Sequence, residues 1–88
     1  MATKKVIKFF ASWCGPCKIY AKTWEQVTPT YSDQVEFLDI DIDTDTTGLV
    51  VQHKIKSVPT TILIREDGSE LKKVGRLTTE QLIELILS

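Results

Sequence analysis

Cys14-Gly15-Pro16-Cys17 restricts the fold more than any other feature of the chain, because of what stands before and after it. The preceding run Val6-Ile7-Lys8-Phe9-Phe10 is β-branched and aromatic, the composition of a strand, while Ser12-Trp13-Cys14-Gly15-Pro16 collects residues that turn a chain and start a helix. Proline is tolerated in the first turn of a helix, where its missing N–H leaves nothing unpaired. Ile19, Tyr20, Trp24 and Val27 then recur at helical spacings, so a helix is predicted over Gly15 to Thr28, ended or kinked by Pro29. A strand followed at once by a helix calls for a parallel partner strand, reached by a right-handed crossover.

Val35 to Asp43 supplies that partner, since apolar and acidic residues alternate along its second half. Thr46 or Thr47 caps a short helix through Gln52, Ile55 to Pro59 reads as a loop, and Thr60 to Arg65 as a third strand. Asp67-Gly68 lies between Ile62-Leu63-Ile64 and Leu71-Lys72-Lys73-Val74; both positions tolerate positive φ, which marks a hairpin. Thr78-Thr79-Glu80-Gln81 opens a last helix with its apolar face at Leu82, Ile83, Leu85 and Ile86. The order β-α-β-α-β-β-α predicts an α/β fold, a four-stranded mixed sheet with helices on both faces. In 88 residues one core uses most of the apolar side chains, so residues 1–88 read as a single domain.

A net charge of -1 provides no basic field to draw nucleic acid or anionic lipid. Met1-Ala2-Thr3-Lys4-Lys5 leads into a short apolar stretch broken by Lys8 and lacking a small-residue cleavage site, unlike a signal peptide. No window approaches the roughly 18 apolar residues that cross a bilayer. A cytoplasmic protein with neither a nucleic acid nor a membrane as partner is expected. Its two cysteines share one motif, which in a reducing compartment points to catalysis or metal. Zinc asks for four ligands and the chain adds only His53 and scattered carboxylates, so no metal site is expected. The run Asp39-x-Asp41-x-Asp43-x-Asp45 has Thr44 and Val50 where a calcium loop needs glycine and glutamate, and it reads as a charged strand end. His53 reads as an exposed helix-end residue, Tyr20 and Trp24 as packing, and Lys4 and Lys5 as solvating the strand start.

At a helix N-terminus the unpaired backbone N–H groups and the helix dipole favour a thiolate at the first cysteine. An ordinary cysteine, with a pKa of about 8.5, is only a few per cent thiolate at neutral pH, so even a modest lowering multiplies the reactive form. Cys14 is therefore expected to be the more exposed and more acidic thiol. Cys17, one turn inside, keeps its proton until needed and reaches the Cys14 sulfur to resolve a mixed disulfide.

These residues resemble the thioredoxin family, and the resemblance extends over nearly the whole chain. Phe9 to Lys18 is similar to the family's active-site segment, Ile42-Asp43 to the end of its following strand, Val58-Pro59-Thr60 to its cis-proline loop, and Lys73-Val74-Gly75 to the segment bordering its substrate groove. The resemblance implies a thioredoxin-like fold and a protein-disulfide reductase, with Cys14 as nucleophile and Cys17 as resolving cysteine. It implies a substrate surface of Trp13, Gly15, Pro16, Val58, Pro59, Thr60 and Gly75. Val58 would offer its backbone to an extended substrate, Pro59 would lie cis beside the sulfurs, and Gly75 would keep the groove open. It further implies a monomer that needs no cofactor, acts on disulfide-containing proteins and takes electrons from a thioredoxin reductase. The Gly-Pro pair resembles the reducing members; the alternatives are a glutaredoxin-like, glutathione-dependent enzyme and a non-catalytic binding module.

The chain departs from the family pattern in three ways. Most members begin with an additional strand and helix, so here the Val35 to Ile42 strand should form a sheet edge guarded by Asp39, Asp41 and Asp43, and the middle helix should lie alone on its face. Lys22 stands where the family has a kinking proline. The family's buried acid falls at Lys8 and its lysine partner at Asp39, so an ion pair with exchanged charges is expected beneath the cysteines rather than a lysine that snorkels to water. Both are expected to be catalytic. The cation would favour a thiolate, Asp39 or a water beside it would accept the Cys17 proton, and removing one partner should cost more than removing both.

Overall fold

The computed structural model describes residues 3–88, so Met1 and Ala2 of the N-terminal reading lie outside the described residues. Its elements are β1 (Lys5–Phe10), α1 (Gly15–Tyr31), β2 (Glu36–Asp41), α2 (Leu49–Gln52), β3 (Thr60–Ile64), β4 (Glu70–Val74) and α3 (Thr79–Leu87), in the expected order. They form one sheet ordered β2-β1-β3-β4. β1 runs parallel to β2 and antiparallel to β3, and β3 and β4 are an antiparallel hairpin.

Alternation along β1 divides the core between the two faces of the sheet. Val6 turns toward α1 and α3, where it meets Tyr20, Trp24, Leu63, Leu82 and Ile86. Ile7 and Phe9 turn the other way with Ile40 and Ile62, and Leu49 and Val50 of α2 pack against them. Among the described residues β2 is a sheet edge, and α2 packs on this second face, both as expected.

Four local expectations are corrected. α1 passes through Pro29 to Tyr31. So near the helix end the proline removes one ladder bond, and the Tyr31 carbonyl accepts from the N–H groups of Gln34 and Val35, both at 3.0 Å. Ile19 is exposed, and the buried face of α1 is Cys17, Tyr20, Trp24 and Val27. The cap of α2 is Gly48 at φ 81°, with support from Asp45, whose carboxylate accepts from the N–H groups of Thr47 and Val50 at 2.8 and 3.1 Å. In the hairpin only Gly68 takes positive φ, while Asp67 accepts from the Ser69 N–H at 2.9 Å. Thr78 and Gln81 close the predicted capping box of α3.

His53 is buried rather than exposed, a fifth correction. It ends α2, so its side chain turns inward: Nδ1 lies 3.1 Å from the Glu70 carboxylate and the ring centroid 6.2 Å from that of Phe9. The Lys72 amine donates to its carbonyl at 2.7 Å.

Tyr20 shows what burial does to a titrating group. Its hydroxyl shares a 2.7 Å hydrogen bond with Thr61 Oγ1 in the core, and burial pushes its pKa from 10.0 up to about 12. Between these values the unfolded chain gives up a proton that the folded chain keeps, so this stability is complete below pH 10.0 and is lost as pH rises through about 12. A shift of that size corresponds to roughly 2–3 kcal/mol. Urea midpoints at pH 8.5 and pH 11.5 should therefore differ less for Tyr20→Phe than for the unaltered chain; an equal difference would show that the phenol is not the titrating group.

Candidate active site

The corner between β1 and α1 places the two cysteines. Cys14 is the N-cap of α1 in an extended conformation; its Sγ accepts a hydrogen bond from the Cys17 N–H at 3.2 Å, and its own N–H donates to Ala11 O at 3.2 Å. The sulfurs are joined as a disulfide across a Cα–Cα distance of 5.2 Å. In this oxidised state Cys14 is 5% and Cys17 4% exposed, so the expected difference in exposure is not present. The joined sulfurs share one apolar pocket with Ala11, walled by Phe10, Ile42 and Val58. They differ in what they face: Cys14 Sγ lies 3.7 Å from the Val58 carbonyl oxygen, while Cys17 lines a cavity on the other side.

The predicted rim assembles around Cys14. The Val58–Pro59 bond is cis, and Thr60 Oγ1 donates to the Ser57 carbonyl at 2.8 Å. The Gly75 N–H donates to the Pro59 carbonyl at 2.8 Å, which ties the end of β4 to the cis-proline loop. Gly75 has φ 97°, a conformation that side chains strain to adopt, and a Cβ there would touch nothing in the chain. Backbone conformation alone therefore favours glycine at 75. Gly15 and Pro16 are exposed on the first turn. Trp13 is 66% exposed, and its Nε1 donates to Asp43 Oδ2 at 2.8 Å. Sequence reasoning placed Asp43 on a guarded strand edge and missed this tether, which fixes the indole to the segment that follows β2.

Beneath Cys17 the exchanged charges form the expected contact. Lys8 and Asp39 are register partners on β1 and β2, with Lys8 Nζ 3.7 Å from Asp39 Oδ1. The lysine does not snorkel: its side chain is 7% exposed, that of Asp39 52%. The ammonium lies over two aromatic rings, 5.0 Å from the centroid of Trp24 and 5.5 Å from that of Phe10. Burial draws the Lys8 pKa below the ordinary lysine value, against the opposing pull of Asp39 and Glu25. A cavity of about 420 Å3 joins Lys8, Asp39 and Glu25 to Cys17 and Ala21. Glu25 was also missed. Its signal was present, since Cys17, Ala21 and Glu25 follow one another at intervals of four on a single helix face.

The unequal burial of the pair revises its expected energetics. Asp39→Asn leaves a covered cation without its nearest anion and is expected to cost about 1–2 kcal/mol. Lys8→Met leaves a carboxylate that water already solvates and adds apolar surface against Trp24 and Phe10, so it is expected to be neutral or stabilising. Urea midpoints of the two single variants and the double variant measure this; equal losses, or zero coupling, would show that the contact carries no energy.

The sequence model described as Thioredoxin matches residues 1–88. A thioredoxin of Staphylococcus epidermidis is 30% identical over 82 residues, covering 93% of this chain and 78% of that protein. One from Mycoplasmoides gallisepticum is 32% identical over 83 residues, covering 94% and 81%. Among solved structures, malaria-parasite thioredoxin-2 superposes with a TM-score of 0.85 at 29% identity, covering 97% of this chain and 82% of that one. Chloroplastic thioredoxin z gives 0.82 at 32% identity, covering 96% and 75%. The strand-to-helix corner with its paired sulfurs, the cis-proline loop and these likenesses lead to one conclusion: the chain belongs to the thioredoxin family, and it is a thioredoxin-type disulfide reductase.

Proposed function

We propose that the enzyme reduces disulfides of other proteins in two steps. The Cys14 thiolate attacks one substrate sulfur; the substrate S–S bond breaks, and its other sulfur leaves with the electron pair and takes up a proton. Cys17 then loses its proton and attacks Cys14, which releases the second substrate thiol and leaves the Cys14–Cys17 disulfide. The placement of Cys14 at the N-cap of α1, with Cys17 one turn inside, is the observation that carries this assignment.

Trp13, Gly15, Pro16, Val58, Pro59, Thr60 and Gly75 form the substrate-facing rim, with the Val58 backbone presented to an extended segment of substrate. The Lys8–Asp39 pair handles charge and proton beneath the dithiol: the cation favours the thiolate, and Asp39 or a water beside it accepts the Cys17 proton. The electrons reside on the cysteines themselves and come from a thioredoxin reductase, so the enzyme serves electron transport without a bound cofactor. It works as a single-domain monomer in the cytoplasm. Confinement of both cysteines to one motif supports that compartment, and the exposed Glu36 and Asp39 on edge strand β2 oppose pairing with a second copy.

Insulin reduction tests the reading, with thioredoxin reductase and NADPH in one assay and glutathione, its reductase and NADPH in another. Turnover is expected in the first. Turnover only in the second would make the enzyme glutaredoxin-like. Turnover in neither, with protein partners still bound by a Cys14→Ser/Cys17→Ser variant, would make the chain a binding module.

A further inference from the structure

The charges around the cavity beneath Cys17 are unequally exposed to water. Lys8 enters from β1 almost fully covered, and Asp39 enters from β2 with about half its side chain in solvent. α1 contributes Glu25 and Lys18, both exposed. A charge surrounded by water acts through its high dielectric, whereas a covered charge acts through a medium in which the same separation counts about four times as much. The two carboxylates are thus screened at the sulfur and the Lys8 ammonium is not. The faces of Trp24 and Phe10 hold that ammonium in place without neutralising it.

We propose that the Lys8 ammonium is the counter-ion of a Cys17 thiolate in the dithiol protein, so that the inner cysteine ionises below the ordinary thiol range and the centre is poised toward its reduced form. The proposal rests on the reading of Cys17 as the resolving thiol, and it departs from the expectation that Cys17 holds its proton until needed. The disulfide is uncharged and offers the cation nothing to stabilise, whereas the dithiol state offers it an anion, so the cation favours reduction. Two glutathione molecules supply the two electrons in the reference reaction and become one glutathione disulfide. The Cys14–Cys17 bond breaks, and the sulfurs take protons from solvent or remain thiolate. Lys8 touches no substrate in this account and is a positioning residue. Its effect on the resolving step is moderate: a tenfold larger thiolate fraction, offset by the lower nucleophilicity of a more acidic thiol, leaves about a threefold gain at neutral pH.

The test is the ionisation of Cys17 in a Cys14→Ser background, followed by thiolate absorbance against pH. Adding Lys8→Met should make half-ionisation require about a tenfold lower proton concentration, the low end of what a neighbouring charge does. Lys8→Arg, which keeps the cation, should restore the original midpoint. With both cysteines present, equilibrium against glutathione at pH 9 should shift about tenfold toward disulfide in Lys8→Met, equivalent to about 30 mV. If Lys8→Met fails to fold, Lys8→Gln carries the same measurements with a polar head in the cavity. A Cys17 midpoint that stays fixed or falls when the cation is removed overturns the proposal. Failure to reduce insulin would instead remove the function proposed above, and the Cys17 midpoint would still be measurable.

Discussion

Cys14→Ser is expected to abolish insulin reduction, by roughly a thousandfold or more, because a serine hydroxyl stays protonated far above neutral pH and cannot replace a thiolate as nucleophile. Cys17→Ser is expected to fail differently. Its Cys14 still stands at the N-cap of α1, where the backbone N–H of residue 17 points at the sulfur, so the first attack proceeds. With no second thiol to displace it, substrate stays joined to Cys14. Non-reducing electrophoresis should therefore show a mixed-disulfide band with Cys17→Ser, dissolved by dithiothreitol, and no such band with Cys14→Ser. The opposite pattern would exchange the roles of the two cysteines.

Phe9→Ala carries the largest expected loss of stability. Phe9 is fully buried on β1 and packs with Ile7, Ile40 and Ile62 on the face that α2 covers. Truncating such a ring removes its transfer energy and leaves a cavity, at a cost of about 3–5 kcal/mol. Domains of this size have only about 5–15 kcal/mol in total, so the variant should melt some 15–30 °C lower or be partly unfolded at ambient temperature. Val51→Ala is the control. Val51 is 81% exposed, and its loss should fall within about 0.5 kcal/mol. A loss below about 1 kcal/mol for Phe9→Ala would mean that this face is not a packed core.

Where each feature could be read depended on how far apart its parts lie along the chain. The α3 capping box, the turn at Gly68 and the placement of Cys14 at a helix start are settled within a few residues, by hydrogen bonds the chain makes to itself, and all were legible. Alternation along β1 also put Lys8 beneath the helix, and the family resemblance put Asp39 across from it. The end of α1 was misread because a proline rule says where a ladder bond is lost, while the continuation to Tyr31 depends on what the last carbonyls meet. His53 was misread because its neighbours Phe9 and Glu70 come from strands far away in sequence.

Residue types and spacing by themselves determined the chemistry of this protein: a dithiol at a helix N-terminus, the strands that frame it and a lysine on the strand face below, while its pairing with Asp39 was what the family resemblance implied. The tertiary structure alone decided how much water reaches each group. It covered Lys8 and left Asp39 half exposed, joined Trp13 to Asp43 across 30 residues, and brought Val58 to Cys14 across 44. Identity specifies what charge or hydrogen bond a side chain can carry. The dielectric and the partners around it arise only when distant segments pack together, and these decide which charge is felt at the sulfur.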